Sequence, residues 1–194
     1  MGASPLNEKP CRSSTYCLPV QRIRNLVASD AKQQPILFVD VDGVISLFGF
    51  EPRVNSLPGP LHWIDGVAHC IPLDVGDRLI RLAEDFELVW ATGWEERANE
   101  HLPYILRLPF GDLPWLTFDG RAVFGSAHWK LDALEEYAGE RAAAWVDDNI
   151  DESCIAWAER RAAPTLIVET QPATGLTDEH VAELLAWAEE VRQP

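Results

Sequence analysis

The sequence is short of positive charge. Its 194 residues include 16 Lys and Arg against 31 Asp and Glu, and the formal net charge at pH 7 is −15. A surface with this balance repels the anionic backbone of nucleic acids, so we expect no extended nucleic-acid binding. A small anionic group can still bind in a local positive pocket or through a metal ion.

Segments typical of membrane or secreted proteins are also missing. No window approaches about 18 consecutive apolar residues, and residues 1–10 have no apolar core of the kind found in secretory signals. The four cysteines have no metal-ligand spacing and are expected to be free thiols. We therefore predict a cytoplasmic protein without membrane contact. The chain has no Gly-rich loop followed by Lys and Ser or Thr, which excludes a P-loop nucleotide-hydrolysing enzyme.

What the chain does contain is a regular alternation of strand and helix patterns. Strands are predicted at residues 36–40, 86–91, 115–118, 142–146 and 165–169, and helices at 21–29, 76–85, 95–106, 128–137, 151–161 and 177–191. This alternation predicts an α/β, Rossmann-like fold in which helices cover both faces of a parallel sheet of about five strands.

The alternation defines one domain with an insertion. Residues 1–30 lack periodicity and are predicted to be a tail, and residues 31–194 are predicted to be the domain. Residues 45–75 contain prolines and short strand patterns at 61–64 and 67–71, and 44–50 is predicted to form a hairpin. This insertion is too small for a core of its own, so we expect a minimal cap.

Polar side chains follow three of the predicted strands, and a lysine precedes one of them. These residues are Asp40 and Asp42 after the first strand, Thr92 and Gly93 after the second, Lys130 at the start of the helix before the fourth, and Asp147 and Asp148 after the fourth. Ligands bind beyond the carboxyl ends of the strands in open parallel sheets. We therefore expect these side chains to converge at one edge of the sheet.

This combination of side chains suits phosphoryl transfer assisted by Mg²⁺. Carboxylates supply the oxygen ligands that Mg²⁺ prefers, and the ion neutralises phosphate oxygens. A hydroxyl, backbone amides and a lysine hold the remaining oxygens. One carboxylate can act as a nucleophile and a second as general acid and base.

Four short motifs stand in a fixed order along the chain. They are Asp40-Val41-Asp42-Gly43-Val44, Ala91-Thr92-Gly93-Trp94, His128-Trp129-Lys130-Leu131 and Val146-Asp147-Asp148. In this order they resemble the motifs of the haloacid dehalogenase (HAD) superfamily of phosphohydrolases, over about residues 35–170. A two-component receiver domain uses similar residues, but there the acid pair ends the first strand and the lysine comes last. In this chain Lys130 precedes Asp147 and Asp148, so the order of the residues argues against a receiver domain.

The resemblance implies a role for each motif residue. Asp40 would be the nucleophile that forms an aspartyl-phosphate and a ligand of Mg²⁺. Asp42 would protonate the leaving group, activate water and offer its backbone carbonyl to the ion. Thr92, Gly93 and Lys130 would bind the phosphoryl group. Asp148 would ligate Mg²⁺ directly and Asp147 directly or through water, and the Asp-Asp-Asn-Ile-Asp run leaves open which of Asp147, Asp148 and Asp151 contacts the ion.

A narrower likeness concerns the small HAD domains grouped with Swiss Army Knife RNA repair proteins. It rests on the residues around the first two motifs, on His128-Trp129-Lys130 and on Trp145-Val146-Asp147-Asp148. The implied substrate is a nucleotide or the phosphorylated terminus of a nucleic acid. A phosphatase for small phosphorylated metabolites and a HAD module that binds phosphate or a protein without turnover remain the alternatives.

Other side chains near the motifs are assigned secondary roles. Trp94 and Trp129 are predicted to be half-buried packing residues, with stacking on a base or ring as the alternative. Arg53, His62 and Trp63 lie in the insertion that should overhang the site, which makes them candidates for substrate contacts. The five histidines show no metal spacing and are predicted to be surface or packing residues.

Overall fold

The structure, a computed structural model, describes residues 34–50, 57–118 and 127–193. Within these residues the strands are β1 (Ile36–Val39), β2 (Leu61–Ile64), β3 (Val67–Cys70), β4 (Glu87–Trp90), β5 (Ala143–Asp147) and β6 (Thr165–Glu169). The α-helices are α1 (Val75–Leu82), α2 (Arg97–Ile105), α3 (Leu131–Ala138), α4 (Glu152–Arg160) and α5 (Asp178–Arg192). The predicted tail, the predicted helix at 21–29 and Arg53 lie outside the described residues.

The main sheet is parallel, as predicted, with the strand order β4-β1-β5-β6. In its register Val39 of β1 lies between Trp90 of β4 and Val146 of β5. All four residues of β1 are buried, since this strand has a neighbour on each side and helices above and below. The end of β1 therefore lies in the centre of the sheet edge.

The predicted strand at residues 115–118 is wrong. Only an isolated bridge joins Trp115 to Trp90, with Trp90 N donating to Pro114 O and Leu116 N donating to Trp90 O. Pro114 has no N–H group with which to extend the pairing toward the amino end. Among the described residues, the parallel sheet therefore has four strands instead of about five.

Helices cover both faces of the sheet, and β1 contributes to both cores because its side chains alternate. Leu37 and Val39 pack with apolar residues of α1, α2 and α5. Ile36 and Phe38 pack on the opposite face with apolar residues of α3 and α4. In the described residues, no helix is long and apolar enough to cross a membrane.

The described part of the insertion contains an antiparallel hairpin, β2–β3, as its strand patterns predict. Asp65 and Gly66 have φ values of 51° and 81°, which suit a tight turn of the type that Asp-Gly favours. The predicted hairpin at residues 44–50 is wrong. Val41 O accepts hydrogen bonds from the N–H groups of Ile45 and Ser46, so the chain turns back at once instead of extending.

The ends of three helices follow local sequence signals. Thr177 is the N-cap of α5, as predicted, and forms a capping box with His180. Gly139, with φ of 54°, ends α3. Helix α2 begins at Arg97, later than predicted, because Glu95 has a left-handed backbone with φ of 51°.

Candidate active site

Three carboxylates meet at the carboxyl edge of the parallel sheet. Asp40 directly follows β1, Asp147 ends β5 and Asp148 follows it. Each offers a carboxylate oxygen, and these oxygens lie within 4.8 Å of one another. Two adjacent parallel strands thus bring together acids that are more than 100 residues apart in the sequence.

Lys130 is buried among these carboxylates, at 3% exposure. Its Nζ lies 3.0 Å from Asp40 Oδ2 and 2.6 Å from Asp147 Oδ2. Burial alone would lower the pKa of Lys130, but the two carboxylates outweigh it and raise that pKa. Lys130 ends a short 3-10 turn (Ala127–Lys130) that leads into α3, rather than starting the α-helix itself. We call Asp40, Lys130, Asp147 and Asp148 the inner cluster.

The inner cluster has more negative than positive charge. Three carboxylates face one ammonium group, which leaves two negative charges without a cationic partner within the cluster. Burial, with the charge of Asp40 as the next cause, raises the pKa of Asp147 to about 7 and that of Asp148 to about 6. Carboxylates that retain protons so far above their usual range indicate a site that favours an added cation. An all-oxygen ligand set with two excess negative charges fits Mg²⁺.

Gly43 allows Asp148 to approach the loop that follows β1. It has φ of 74°, and a Cβ added there would lie 2.2 Å from Asp148 Cγ. The Gly43 carbonyl accepts a 2.9 Å hydrogen bond from the buried hydroxyl of Thr170, which follows β6. Glycine in the Asp-x-Asp-Gly motif is therefore required both by the backbone and by the neighbouring carboxylate.

The side chain of Asp42 is not part of the inner cluster. It is 53% exposed, and its Oδ2 accepts a 3.0 Å hydrogen bond from Trp94 Nε1. Its Oδ1 lies 4.0 Å from His69 Nδ1. Loss of hydration, with the charge of Asp40 as a further cause, raises the pKa of Asp42 although the Trp94 bond opposes the change. The two motif aspartates therefore occupy different environments.

His69 connects the insertion to the loop after β1, residues 40–46, which we call the motif loop. The spacing of the histidines predicted only a surface or packing residue here. Its Nδ1 lies 2.9 Å from Ser46 Oγ, and its ring packs edge-on against the Trp94 ring with centroids 4.8 Å apart. Burial lowers the pKa of His69 even though Asp42 opposes the change. The Asp65-Gly66 turn signal fixes the hairpin register, so it places His69 on the same face as Ile64 and Val67.

A cleft of about 240 Å³ lies between this hairpin face and the residues after β4. Its lining consists of Ile64, Asp65, Val67, His69, Gly93, Trp94 and Arg97. Arg97 forms an ion pair with Asp65 across it, and both side chains are more than half exposed. Of the candidates in the insertion, Trp63 lies on the other face of the hairpin and His62 does not line the cleft.

Thr92 and Gly93 lie after β4, the strand next to β1. Thr92 is buried, and its Oγ1 is 3.4 Å from Trp94 N, which donates to it. Gly93 lines the cleft. Trp94 and Trp129 are both half-buried, and the Trp129 ring packs edge-on against Phe118 at 4.5 Å between centroids.

Asp151 has a structural position at the start of α4. Its carboxylate accepts hydrogen bonds from the backbone N–H groups of Ser153 and Cys154, as the N-cap of the helix. It does not belong to the acidic group formed by Asp40, Asp147 and Asp148. Of the three aspartates in the Asp-Asp-Asn-Ile-Asp run, Asp147 and Asp148 therefore remain the candidates for contact with the metal ion.

Fold, motif order and acidic edge together are those of the HAD class. The family model for the HAD domain in Swiss Army Knife RNA repair proteins matches residues 36–181, well over half of the chain. The chain belongs to this family.

Individual known proteins are more distant. No curated protein matches the chain significantly. Twelve chains of solved structures match it, among them Fcp1, described as an essential RNA polymerase II CTD phosphatase, with 16% sequence identity and a TM-score of 0.41. That match covers 89% of this chain and 55% of the Fcp1 chain, so this chain spans about half the length of that protein.

Proposed function

We propose that the chain is a Mg²⁺-dependent phosphomonoesterase that works through an aspartyl-phosphate on Asp40. The observation that carries the proposal is the inner cluster, in which Asp40, Lys130 and Asp147 are buried and Asp148 is half-buried. When its three carboxylates are ionised, the cluster has two negative charges in excess. Such an arrangement is costly unless a cation completes it, and a bound cation can then hold the oxygens of an anionic substrate.

In the first half-reaction an oxygen of Asp40 attacks the phosphorus of the substrate. The bond between Asp40 and phosphorus forms while the bond from phosphorus to the alcohol oxygen breaks. Asp42, protonated at the start, gives its proton to that departing oxygen. Lys130, the Thr92 hydroxyl and the Gly93 N–H group donate to the other phosphate oxygens. Lys130 already lies 3.0 Å from Asp40 Oδ2, which keeps the nucleophile in place.

In the second half-reaction Asp42, now a carboxylate, accepts a proton from water. The water oxygen bonds to phosphorus, and the bond between phosphorus and Asp40 breaks. Inorganic phosphate leaves, Asp40 is again a carboxylate and Asp42 again carries its proton. Each half-reaction therefore returns what the other consumed.

Asp40, Asp148 and the backbone carbonyl of Asp42 would hold Mg²⁺, with Asp147 as a direct or water-mediated partner. When bound, the ion neutralises charge on the phosphate oxygens and on the carboxylates around it. Lys130 contributes to this neutralisation, because its ammonium group offsets one of the three negative charges.

For the substrate we propose a nucleotide or the phosphorylated end of a polynucleotide. The family to which the chain belongs is named for RNA repair proteins, and the small cap leaves room for a bulky group next to the site. The acidic chain favours contact with a terminus over extended binding. A small-metabolite phosphatase and a non-catalytic phosphate- or protein-binding module are the alternatives.

The test is hydrolysis of p-nitrophenyl phosphate by the parent chain, Asp40→Asn and Asp112→Asn, with Mg²⁺ or with EDTA. Asp112 is exposed and lies away from the motifs, so its variant is the matched control. We expect EDTA to abolish activity and Asp40→Asn to lower kcat at least about 1,000-fold. Parental activity of Asp40→Asn would rule out the nucleophile.

The substrate class is tested on a panel of phosphomonoesters. Nucleoside monophosphates, sugar phosphates and oligonucleotides with a 3′- or 5′-phosphate are compared at equal concentration, and kcat/KM is measured for each. We expect the highest values for the nucleotides or oligonucleotides. Highest values for the sugar phosphates would favour the metabolite phosphatase. No turnover of any substrate, with Mg²⁺ still bound, would favour the non-catalytic module.

A further inference from the structure

The carboxylate of Asp42 is turned away from the inner cluster and toward the cleft. Its two oxygens face Trp94 Nε1 at 3.0 Å and His69 Nδ1 at 4.0 Å, and both of those residues line the cleft. The carboxylates of Asp40, Asp147 and Asp148 group together without it. The motif loop therefore presents one aspartate to the inner cluster and the other to the cleft.

The walls of the cleft are largely apolar or aromatic. Ile64 and Val67 come from the hairpin, and the rings of His69 and Trp94 meet edge-on near Asp42. Gly93, next to the phosphate-binding Thr92, forms part of the lining on the other side. A volume of about 240 Å³ accommodates one ring system and its substituents.

The charges of the cleft do not favour an anion. Arg97 is its cationic residue with a permanent charge, and it is paired with Asp65, which also belongs to the lining. Asp42, which accepts a hydrogen bond from the lining residue Trp94, adds a carboxylate beside the cleft. A second phosphate group placed here would meet no unpaired cation among these lining residues, whereas an uncharged ring would lose little by leaving water.

We propose that this cleft binds the part of the leaving group next to the phosphate and selects an uncharged ring there, such as the terminal nucleoside of a nucleotide or polynucleotide. In this assignment Trp94 is the positioning residue that directs the Asp42 carboxylate toward the leaving oxygen. The assignment rests on the proposed function, because it requires the substrate phosphate to lie at Asp40. Trp94 acts through its N–H group, which fixes one oxygen of Asp42 and leaves the other on the side of the cleft.

Three substrates separate binding of the ring from transfer of the proton. Benzyl phosphate and ethyl phosphate release alcohols of similar basicity, but only the first carries a ring. p-Nitrophenyl phosphate carries a ring and releases a stable phenolate that needs little protonation. Steady-state kcat and KM are measured with Mg²⁺ for each substrate and each variant.

The positioning role is tested with Trp94→Phe, which keeps an aromatic ring and removes the N–H donor. We expect kcat/KM to fall about tenfold for benzyl and ethyl phosphate, and by less than about threefold for p-nitrophenyl phosphate. This ratio reports the steps up to release of the alcohol and not the later attack of water, in which Asp42 serves all three substrates. Retained activity on the last substrate shows that the variant is folded. Trp63→Phe is the matched control, since Trp63 is 75% exposed on the other face of the hairpin, and we expect parental values for it.

The binding role is tested with Val67→Glu, which adds a carboxylate to the cleft wall at an exposed position. We expect KM to rise about fivefold for the two ring-bearing substrates and to stay near the parental value for ethyl phosphate. Ala68→Glu is the control, because Ala68 is also exposed but lies on the opposite face of the same strand.

Asp42→Asn separates failure of this inference from failure of the proposed function. If Asp42→Asn leaves all three substrates unaffected, Asp42 is not the proton donor and the proposed mechanism is wrong. If Asp42→Asn impairs the two alkyl esters but Trp94→Phe affects all three substrates equally or none, the positioning role is overturned. Equal effects of Val67→Glu and Ala68→Glu would overturn the cleft as the leaving-group site.

Discussion

The inner cluster and the cleft differ in how far each is separated from water. Lys130 and Asp147 form their ion pair at 4% and 1% side-chain exposure, whereas Arg97 and Asp65 form theirs at 54% and 55%. The two ion pairs therefore contribute differently to the stability of the fold. In the buried pair each charge depends on its partner, and in the exposed pair water can replace either partner.

This difference divides the proposed chemistry between two parts of the chain. The strand ends and the turn before α3 supply the side chains that we propose to handle the phosphate. Of these, Asp40, Thr92, Lys130 and Asp147 are buried and Asp148 is half-buried. The hairpin and the residues after β4 supply the groups that meet the rest of the substrate, and several of these are exposed. Changes in the inner cluster should therefore affect stability and every substrate, whereas changes at the cleft should affect some substrates.

The largest expected effect comes from removing the cation of each ion pair. Lys130→Met leaves Asp40 and Asp147 buried without their partner, so we expect a loss of about 3–5 kcal/mol in the free energy of unfolding without Mg²⁺. Arg97→Met is the matched change at the cleft and should cost less than about 1 kcal/mol. Urea unfolding of both variants with EDTA measures the difference. Equal losses would contradict the contrast between the two regions.

A smaller effect is expected from adding one methyl group at two glycines with similar backbone angles. Gly43→Ala places its Cβ against Asp148, so we expect a loss of about 2 kcal/mol or more in unfolding free energy and a loss of activity on every substrate. Gly66→Ala, with φ of 81° and no atom within 4 Å of the added Cβ, should cost about 1 kcal/mol from backbone strain alone. Urea unfolding and kcat/KM for p-nitrophenyl phosphate separate the two outcomes. Full activity in Gly43→Ala would contradict the tight contact with Asp148.

The smallest effect concerns pH. The pKa of Asp148 is raised to about 6 in the folded chain, above its ordinary value of 3.8. The folded state therefore binds this proton more tightly than the unfolded state, and the unfolding free energy should fall as pH rises from about 4 to 6, by about 1 kcal/mol after allowance for solvent screening.

Comparison of the parent with Asp148→Asn isolates this contribution. The variant has no carboxyl group to titrate at residue 148, so its stability should fall less over the same pH range in EDTA. Mg²⁺ should also reduce the slope in the parent, since bound metal favours the deprotonated carboxylate. Urea unfolding at several pH values measures both changes. Identical slopes in parent and variant would contradict the raised pKa.

The sheet edge was predictable because its signals are local. Each buried strand is an apolar run that ends in a polar residue, and parallel pairing brings those ends together without further information. Asp40 and Asp147 therefore came to one place in the prediction as they do in the structure. The same reasoning left the role of Asp151 open, because an acid directly before a helix serves equally well as an N-cap.

The cleft was not predictable in the same way. Asp42 and Trp94 are 52 residues apart, and their hydrogen bond depends on how the motif loop and the loop after β4 approach each other. His69 lies next to both residues and belongs to the β2–β3 hairpin. Strands of only four residues are too short to show a clear alternation in the sequence. Short strands and loop contacts are decided by tertiary packing, which a pattern along the chain does not contain.

The hydrogen bond from Thr170 to Gly43 has a consequence for how the protein is made. Strand β1 leaves the ribosome first among the four parallel strands, and both of its neighbours, β4 and β5, are synthesised later. Thr170, which donates the hydrogen bond to the motif loop after β1, is synthesised later still. Gly175 also packs closely on the Val44 carbonyl, again from the C-terminal side. A nascent chain that ends before Thr170 thus contains all four motifs but lacks these two contacts to the loop of the first motif. Activity should therefore emerge only after Thr170 and Gly175 have left the ribosome.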